Sequence, residues 1–214
     1  MKYILLFFNL FLFAYDFPYD KFYSVLNNAK LQCPTSHYNP IYSRKKDFAG
    51  FANRYFYLDK YNNLVFYMCG NHKRSELRFK DEFSINSKKS LEFDVKLIPL
   101  GSEEFTFAQI YAKDFHKPFM RLAYKKAYRG FKNYIWAILR VKNKYYIKKA
   151  LLPLKNRFLH FKIIIKNKTM YLFYENSEFS YNLSDINSYL YFKLGVYLQS
   201  NGCAKSIFKY IKRN

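Results

Sequence analysis

Glycine and proline are scarce in this sequence, six of each in 214 residues. So little of either excludes a collagen-like or low-complexity chain. Acidic residues are also few, 15 against 37 Lys and Arg, which leaves a formal net charge of +22. The three cysteines, Cys33, Cys69 and Cys203, show no C-x-x-C or similar spacing, so a cysteine-based metal site is excluded. In an exported protein they allow one disulfide and one leftover thiol, and spacing alone does not choose the pair. No internal repeat, linker or shift in composition divides the chain after residue 20. The one strongly apolar run, at the N-terminus, is too short to span a bilayer comfortably.

What is present is apolar and aromatic. Half the residues are hydrophobic and 22% are aromatic, with 23 Tyr and 24 Phe. Such residues favour strands, and the length suits one domain with a sizeable core. The positive charge suits a polyanionic partner, which it would concentrate and steer; nucleic acid, acidic glycan and anionic membrane all fit. Drift in an AT-rich genome is the competing source of the lysines, since it would raise Asn, Ile, Tyr and Phe as well. Charge alone therefore chooses no function. Residues 1–14 read as a signal peptide: Lys2 is the basic start, Tyr3 to Ala14 is apolar except for Asn9, and Leu12-Phe13-Ala14 is an imperfect cleavage site. A buried first strand is the alternative. Residues 20–214 read as one domain.

Period-two alternation dominates that domain. In Leu91-Glu92-Phe93-Asp94-Val95-Lys96-Leu97 every odd residue is apolar and every even one charged, the pattern of a strand with one face in a core. Residues 119–125, 134–141, 145–151, 158–165 and 170–174 read the same way. Turn signals stand between them at 142–144, Pro153, 166–168 and Asn176-Ser177. Only 22–28 suggests a helix. Many short strands imply an all-β sandwich or barrel.

Three segments place polar groups on a strand face. In Arg74-Ser75-Glu76-Leu77-Arg78 the period sets Arg74, Glu76 and Arg78 on one side. Two guanidiniums offer planar forks of donors suited to carboxylates, and Glu76 is expected to hold them in place; an ion-paired surface strand is the plain alternative. In Phe107-Ala108-Gln109-Ile110-Tyr111-Ala112-Lys113, Gln109, Tyr111 and Lys113 share a side. From Tyr189 to Gln199, the residues Tyr191, Lys193, Gly195, Tyr197 and Gln199 alternate with Phe192, Leu194, Val196 and Leu198. A Gly within a polar strand face marks close approach by ligand or backbone.

Arg-Ser-Glu-Leu-Arg, then Gln-Ile-aromatic, then Tyr-Phe-Lys-x-Gly-x-Tyr-x-Gln, in that order, resembles polysaccharide lyase family 7, the alginate lyases. Leu31-Gln32-Cys33-Pro34 is similar to the family's opening strand, and Pro118-Phe119-Met120-Arg121-Leu122 to the strand after the second motif. The likeness runs from about Phe22 to about Ser206. It implies a two-sheet, concanavalin-like jelly roll with a concave groove for a uronate chain. It also implies cleavage of an acidic polysaccharide, alginate or a related polyuronate, by β-elimination without a metal or other cofactor. Carried over by motif, Arg74 and Gln109 neutralise the carboxylate of the sugar that loses its C5 proton, and Tyr197 protonates the leaving O4. Arg78, Glu76, Lys193, Gln199 and Lys113 contact substrate. The chemistry calls for these types, because a proton beside a carboxylate resists removal until positioned donors neutralise that charge. On a jelly roll, Cys69 just before the first motif strand and Cys203 just after the last are the favoured disulfide pair.

The sequence departs from the family at Tyr111, where a His base is expected. A general base typically contributes about 10²–10⁴-fold in rate, so three readings stay open. Tyr197 serves as both base and acid in a syn-elimination; Tyr111 is itself the base; or the chain is a catalytically impaired, lectin-like module for acidic glycans. His72, two residues before Arg74, is a candidate replacement imidazole, though its place beside Gly70 and Asn71 reads as a loop. His37, His116 and His160 form no constellation. A nucleic-acid-binding β-domain is a further rival that the signal peptide opposes, so no nucleic-acid partner is expected. The expected protein is a periplasmic or secreted monomer with no stable membrane insertion once the signal is removed.

Overall fold

The computed structural model describes residues 16–35, 42–43, 48–115, 117–141 and 145–214. The signal peptide at 1–14, the turn at 142–144, His37 and His116 lie outside the described residues. A four-residue helix, α1 (Tyr23–Leu26), replaces the longer one expected over 22–28. Strands follow in the order β1 (Ala29–Thr35), β2 (Tyr42–Ser43), β3 (Phe56–Leu58), β4 (Leu64–Cys69), β5 (Arg74–Phe79), β6 (Lys89–Leu100), β7 (Glu104–Ala112) and β8 (Lys117–Tyr128). Then come β9 (Phe131–Val141), β10 (Tyr145–Pro153), β11 (Leu159–Lys166), β12 (Thr169–Tyr174), β13 (Ser177–Asn182), β14 (Leu190–Leu198) and β15 (Cys203–Arg213). Among the described residues no helix is long and apolar enough to cross a membrane.

The strands form two antiparallel sheets, as the alternation requires. One has eight strands in the order β10-β9-β8-β7-β14-β5-β1-β2, and the other seven, β13-β12-β11-β6-β15-β4-β3. Along β6, Leu91, Phe93, Val95 and Leu97 are buried between the sheets while Glu92, Asp94 and Lys96 face outward. The layer between the sheets is rich in phenylalanine: Phe93 meets Phe107, Phe161 and Phe208 at 5.7–6.4 Å, and Phe66 meets Phe56 and Phe208. Truncating such a ring to Ala typically costs about 3–5 kcal/mol. Positive φ at Asn167 (50°) and Lys168 (58°) makes the tight β11–β12 turn that the Lys-Asn-Lys segment signals.

Cys69 and Cys203 form the disulfide, with Cα atoms 4.0 Å apart, and Cys33 is a buried free thiol. The pair is the favoured one, and the motif strands that Cys69 precedes and Cys203 follows, β5 and β14, are paired neighbours. Cys69 ends β4 and Cys203 starts β15, so the two are direct cross-strand partners in the seven-stranded sheet.

Candidate active site

Within the eight-stranded sheet, β7, β14, β5 and β1 lie side by side, so the three motifs become neighbours. Leu77 and Phe79 point into the core, which turns Arg74, Glu76 and Arg78 to the opposite, outer face. Register then fixes the partners. Tyr197 stands opposite Arg74, and Lys193 stands opposite both Arg78 on β5 and Gln109 on β7. Tyr191 stands opposite Tyr111. Cross-strand partners project from the same face.

The three motifs meet at Glu76. This residue is 1% exposed, and its carboxylate accepts hydrogen bonds from Gln109 Nε2 and, at 2.9 Å, from Lys193 Nζ. Lys193 Nζ also donates to Gln32 Oε1 at 2.9 Å, which brings β1 into the cluster. Arg74 approaches Glu76 only to 3.8 Å, beyond hydrogen-bond range, so its donors remain for a ligand. Its guanidinium lies 4.1 Å from the centroid of the Tyr197 ring. Gln32, Glu76, Gln109 and Lys193 thus form a buried polar layer, with the more exposed Arg74, Tyr111 and Tyr197 at its margin.

Several expectations need correction. The resemblance makes Glu76 and Lys193 substrate contacts, but both are buried and committed to one another, so they organise the layer. Glu76 does not hold both arginines: Arg78 pairs with Glu82 at 2.8 Å and lies over Tyr191 at 4.2 Å. Glu82 also takes Lys113 at 2.7 Å, and that bond, ahead of all other influences, holds its carboxyl below the usual range. Lys113 follows the end of β7 and is exposed. Gln199 follows the end of β14 and lines a separate cavity of about 510 Å³ with Asn71, Glu103 and Ser200. Gly195 answers a backbone, not a ligand. Its φ is 143°, a Cβ there would sit 2.7 Å from Glu76 Cα, and the β14–β7 register shifts beside it, between Leu194 and Tyr197.

His72 lies in the turn before β5, exposed, with a left-handed backbone (φ 51°). His160 is on the other sheet, bonded to Asp94 at 2.7 Å. Tyr111 stacks on Tyr191 with centroids 5.1 Å apart. Burial first, then Tyr191, pushes its phenol up to about 12, which disfavours the phenolate that a tyrosine base requires. Burial likewise pulls the Lys193 ammonium below its usual range, against the opposing pull of Glu76. Among the described residues no group of three His, Cys, Asp or Glu is placed to hold a metal ion.

Two residues were missed. Gln32 alternates with buried Leu31 and Cys33, a polar position on a strand otherwise facing the core. Arg121 stands opposite Gln109 on β8 and donates to Thr106 Oγ1 at 3.1 Å. The odd–even pattern carried both signals, but only strand register shows where they lead.

Comparison with known proteins bears on the family and the fold. A model of the alginate lyase family matches residues 25–213. An alginate lyase of Photobacterium sp. (strain ATCC 43367) is 29% identical over 164 residues, 65% of this chain and 57% of that protein, so the chain spans little more than half the length of this relative. The structure of alginate lyase AlyC3 in complex with dimannuronate superposes with a TM-score of 0.83 at 24% identity, covering 94% of this chain and 95% of that one. Alginate lyase A1-II', a member of polysaccharide lyase family 7, gives a TM-score of 0.74 at 18% identity, covering 88% and 95%. These likenesses support the jelly-roll assignment.

Proposed function

Because the chain belongs to the alginate lyases of polysaccharide lyase family 7, we propose that it cleaves a uronate-containing polysaccharide by β-elimination, with Tyr197 moving the proton. The observation that carries this reading is the Arg74–Tyr197 pair standing beside Gln109 on one sheet face. Arg74, with the Gln109 amide hydrogen that Glu76 does not occupy, neutralises the substrate carboxylate and so acidifies the C5 proton. The phenolate oxygen of Tyr197 takes that proton; the electron pair becomes the C4–C5 double bond as the C4–O4 bond breaks, and the phenol so formed returns the proton to O4, which restores the phenolate.

One phenol reaches both atoms only when the C5 hydrogen and O4 lie on the same ring face. They do in mannuronate, and they lie on opposite faces in its C5 epimer, guluronate. With no imidazole at position 111, the substrate is polymannuronate in preference to polyguluronate. The structure of AlyC3 in complex with dimannuronate supports this choice. The Cys69–Cys203 disulfide supports an oxidising, periplasmic or extracellular site of action, and the apolar residues 1–14 supply the export signal.

Purified protein mixed with polymannuronate should release unsaturated ends that absorb in the ultraviolet. Tyr197→Phe should abolish that signal with the circular dichroism spectrum unchanged. A fully active Phe variant would remove Tyr197 from the mechanism.

A further inference from the structure

The outer face of the eight-stranded sheet does not end at Gln109. Cross-strand pairing continues it from Gln109 to Arg121, from Arg121 to Ile138 and from Ile138 to Lys148, three strand spacings or roughly 14 Å. At its far end Tyr128, on the β8–β9 hairpin, packs edge-on over buried Trp136 with centroids 5.2 Å apart. Three cations surround the Tyr128 ring: Lys148 at 4.5 Å, Lys125 at 4.9 Å and Arg129 at 5.4 Å. Lys148 Nζ also donates to the Tyr128 hydroxyl at 3.2 Å.

The charge on this patch is not balanced. Arg121 and Lys125 share one carboxylate, Glu104. Lys148 and Arg129 have no acidic partner among the described residues. Four cations against one carboxylate leave a local charge of 4 − 1 = +3, on the same face as Arg74 and Tyr197. We propose that the Tyr128–Lys148–Arg129 patch is an outer subsite that binds the carboxylate of a uronate several sugars away from the scissile bond. The ring gathers the cations, and Lys148 and Arg129, which have no acidic partner among the described residues, take the acid of the sugar. This rests on the lyase reading for its ligand, and it makes affinity depend on chain length.

The test is a calorimetric titration of Tyr197→Phe protein with oligomannuronates of increasing length, and with a neutral oligosaccharide as control. Affinity should rise once the oligomer is long enough to reach three strands beyond Gln109. Lys148→Ala or Arg129→Ala should remove about three- to tenfold of that rise, and Lys148→Glu more, as expected for one half-exposed charge-assisted contact. Equal length dependence in Lys148→Glu and its parent overturns the proposal, as does equal affinity for the neutral control. An absence of turnover by the unaltered protein would sink the lyase reading alone, since the same titration still decides the subsite.

Discussion

Lys193 Nζ lies 2.9 Å from Glu76 Oε2 with the two side chains 3% and 2% exposed, an ion pair almost withdrawn from water beneath the reactive face. Removing one partner of such a pair leaves an uncompensated buried charge, which typically costs about 3–5 kcal/mol. Lys193→Met should therefore destabilise the protein by about 3 kcal/mol in urea denaturation. Glu76→Gln/Lys193→Met should recover part of the loss. A double variant no more stable than the single one would mean that the two charges are not coupled.

Arg74→Lys keeps the positive charge but loses the planar fork. If Arg74 grips the substrate carboxylate through paired donors, kcat/KM on polymannuronate should fall on the order of 10²-fold, the range seen when one oriented donor is removed. Stability should change little, because Arg74 does not come within hydrogen-bond range of Glu76. Initial rates beside a thermal melt check both halves.

Tyr111 supplies a pH argument. An acid whose folded pKa is raised contributes stability that is complete below the unfolded value, near 10, and is lost as pH rises through about 12. At working pH it is neutral, so Tyr111→Phe should leave the shape of the pH–rate profile unchanged. Tyr111→His would place an imidazole where the family carries its base. It should raise activity on polyguluronate by tenfold or more, toward the usual general-base contribution of about 10²-fold, measured as unsaturated product on that polymer.

Gly195→Ala should be costly although the position is one methyl from neutral. The new Cβ would meet the β5 backbone and sit at a φ of 143°, so more than about 1 kcal/mol of stability should be lost. Because Tyr197 follows two residues later, kcat should fall as well. A near-neutral Ala variant would show that β5 and β14 can separate there without consequence.

Much of this was legible beforehand because strand alternation is a local property. Arg74, Gln109 and Tyr197 could be put on one face from period two and motif order, and Leu91 to Leu97 gave away a core strand. What stayed hidden depends on which strands become neighbours. Gln32 joins the site only because β1 pairs with β5, and Arg121 only because β8 pairs with β7. Glu82 captures Arg78 from beyond the end of β5, where no alternation reaches. Gln199 lies just past a strand that stops at Leu198, so alternation no longer sets its face. The upward shift of the Tyr111 phenol depends on burial beside Tyr191, which one-dimensional spacing does not encode.

The Cys69–Cys203 cross-link has a consequence for how the molecule fails. Arg74 follows Cys69 by five residues and Tyr197 precedes Cys203 by six, so both reactive strands are anchored close to one covalent knot. On warming, amide protons along the free margins, β10 and β13, should exchange with solvent first. Those at the β5–β14 seam should hold out to global melting, leaving the candidate active site intact while the borders of the sheets are already fraying.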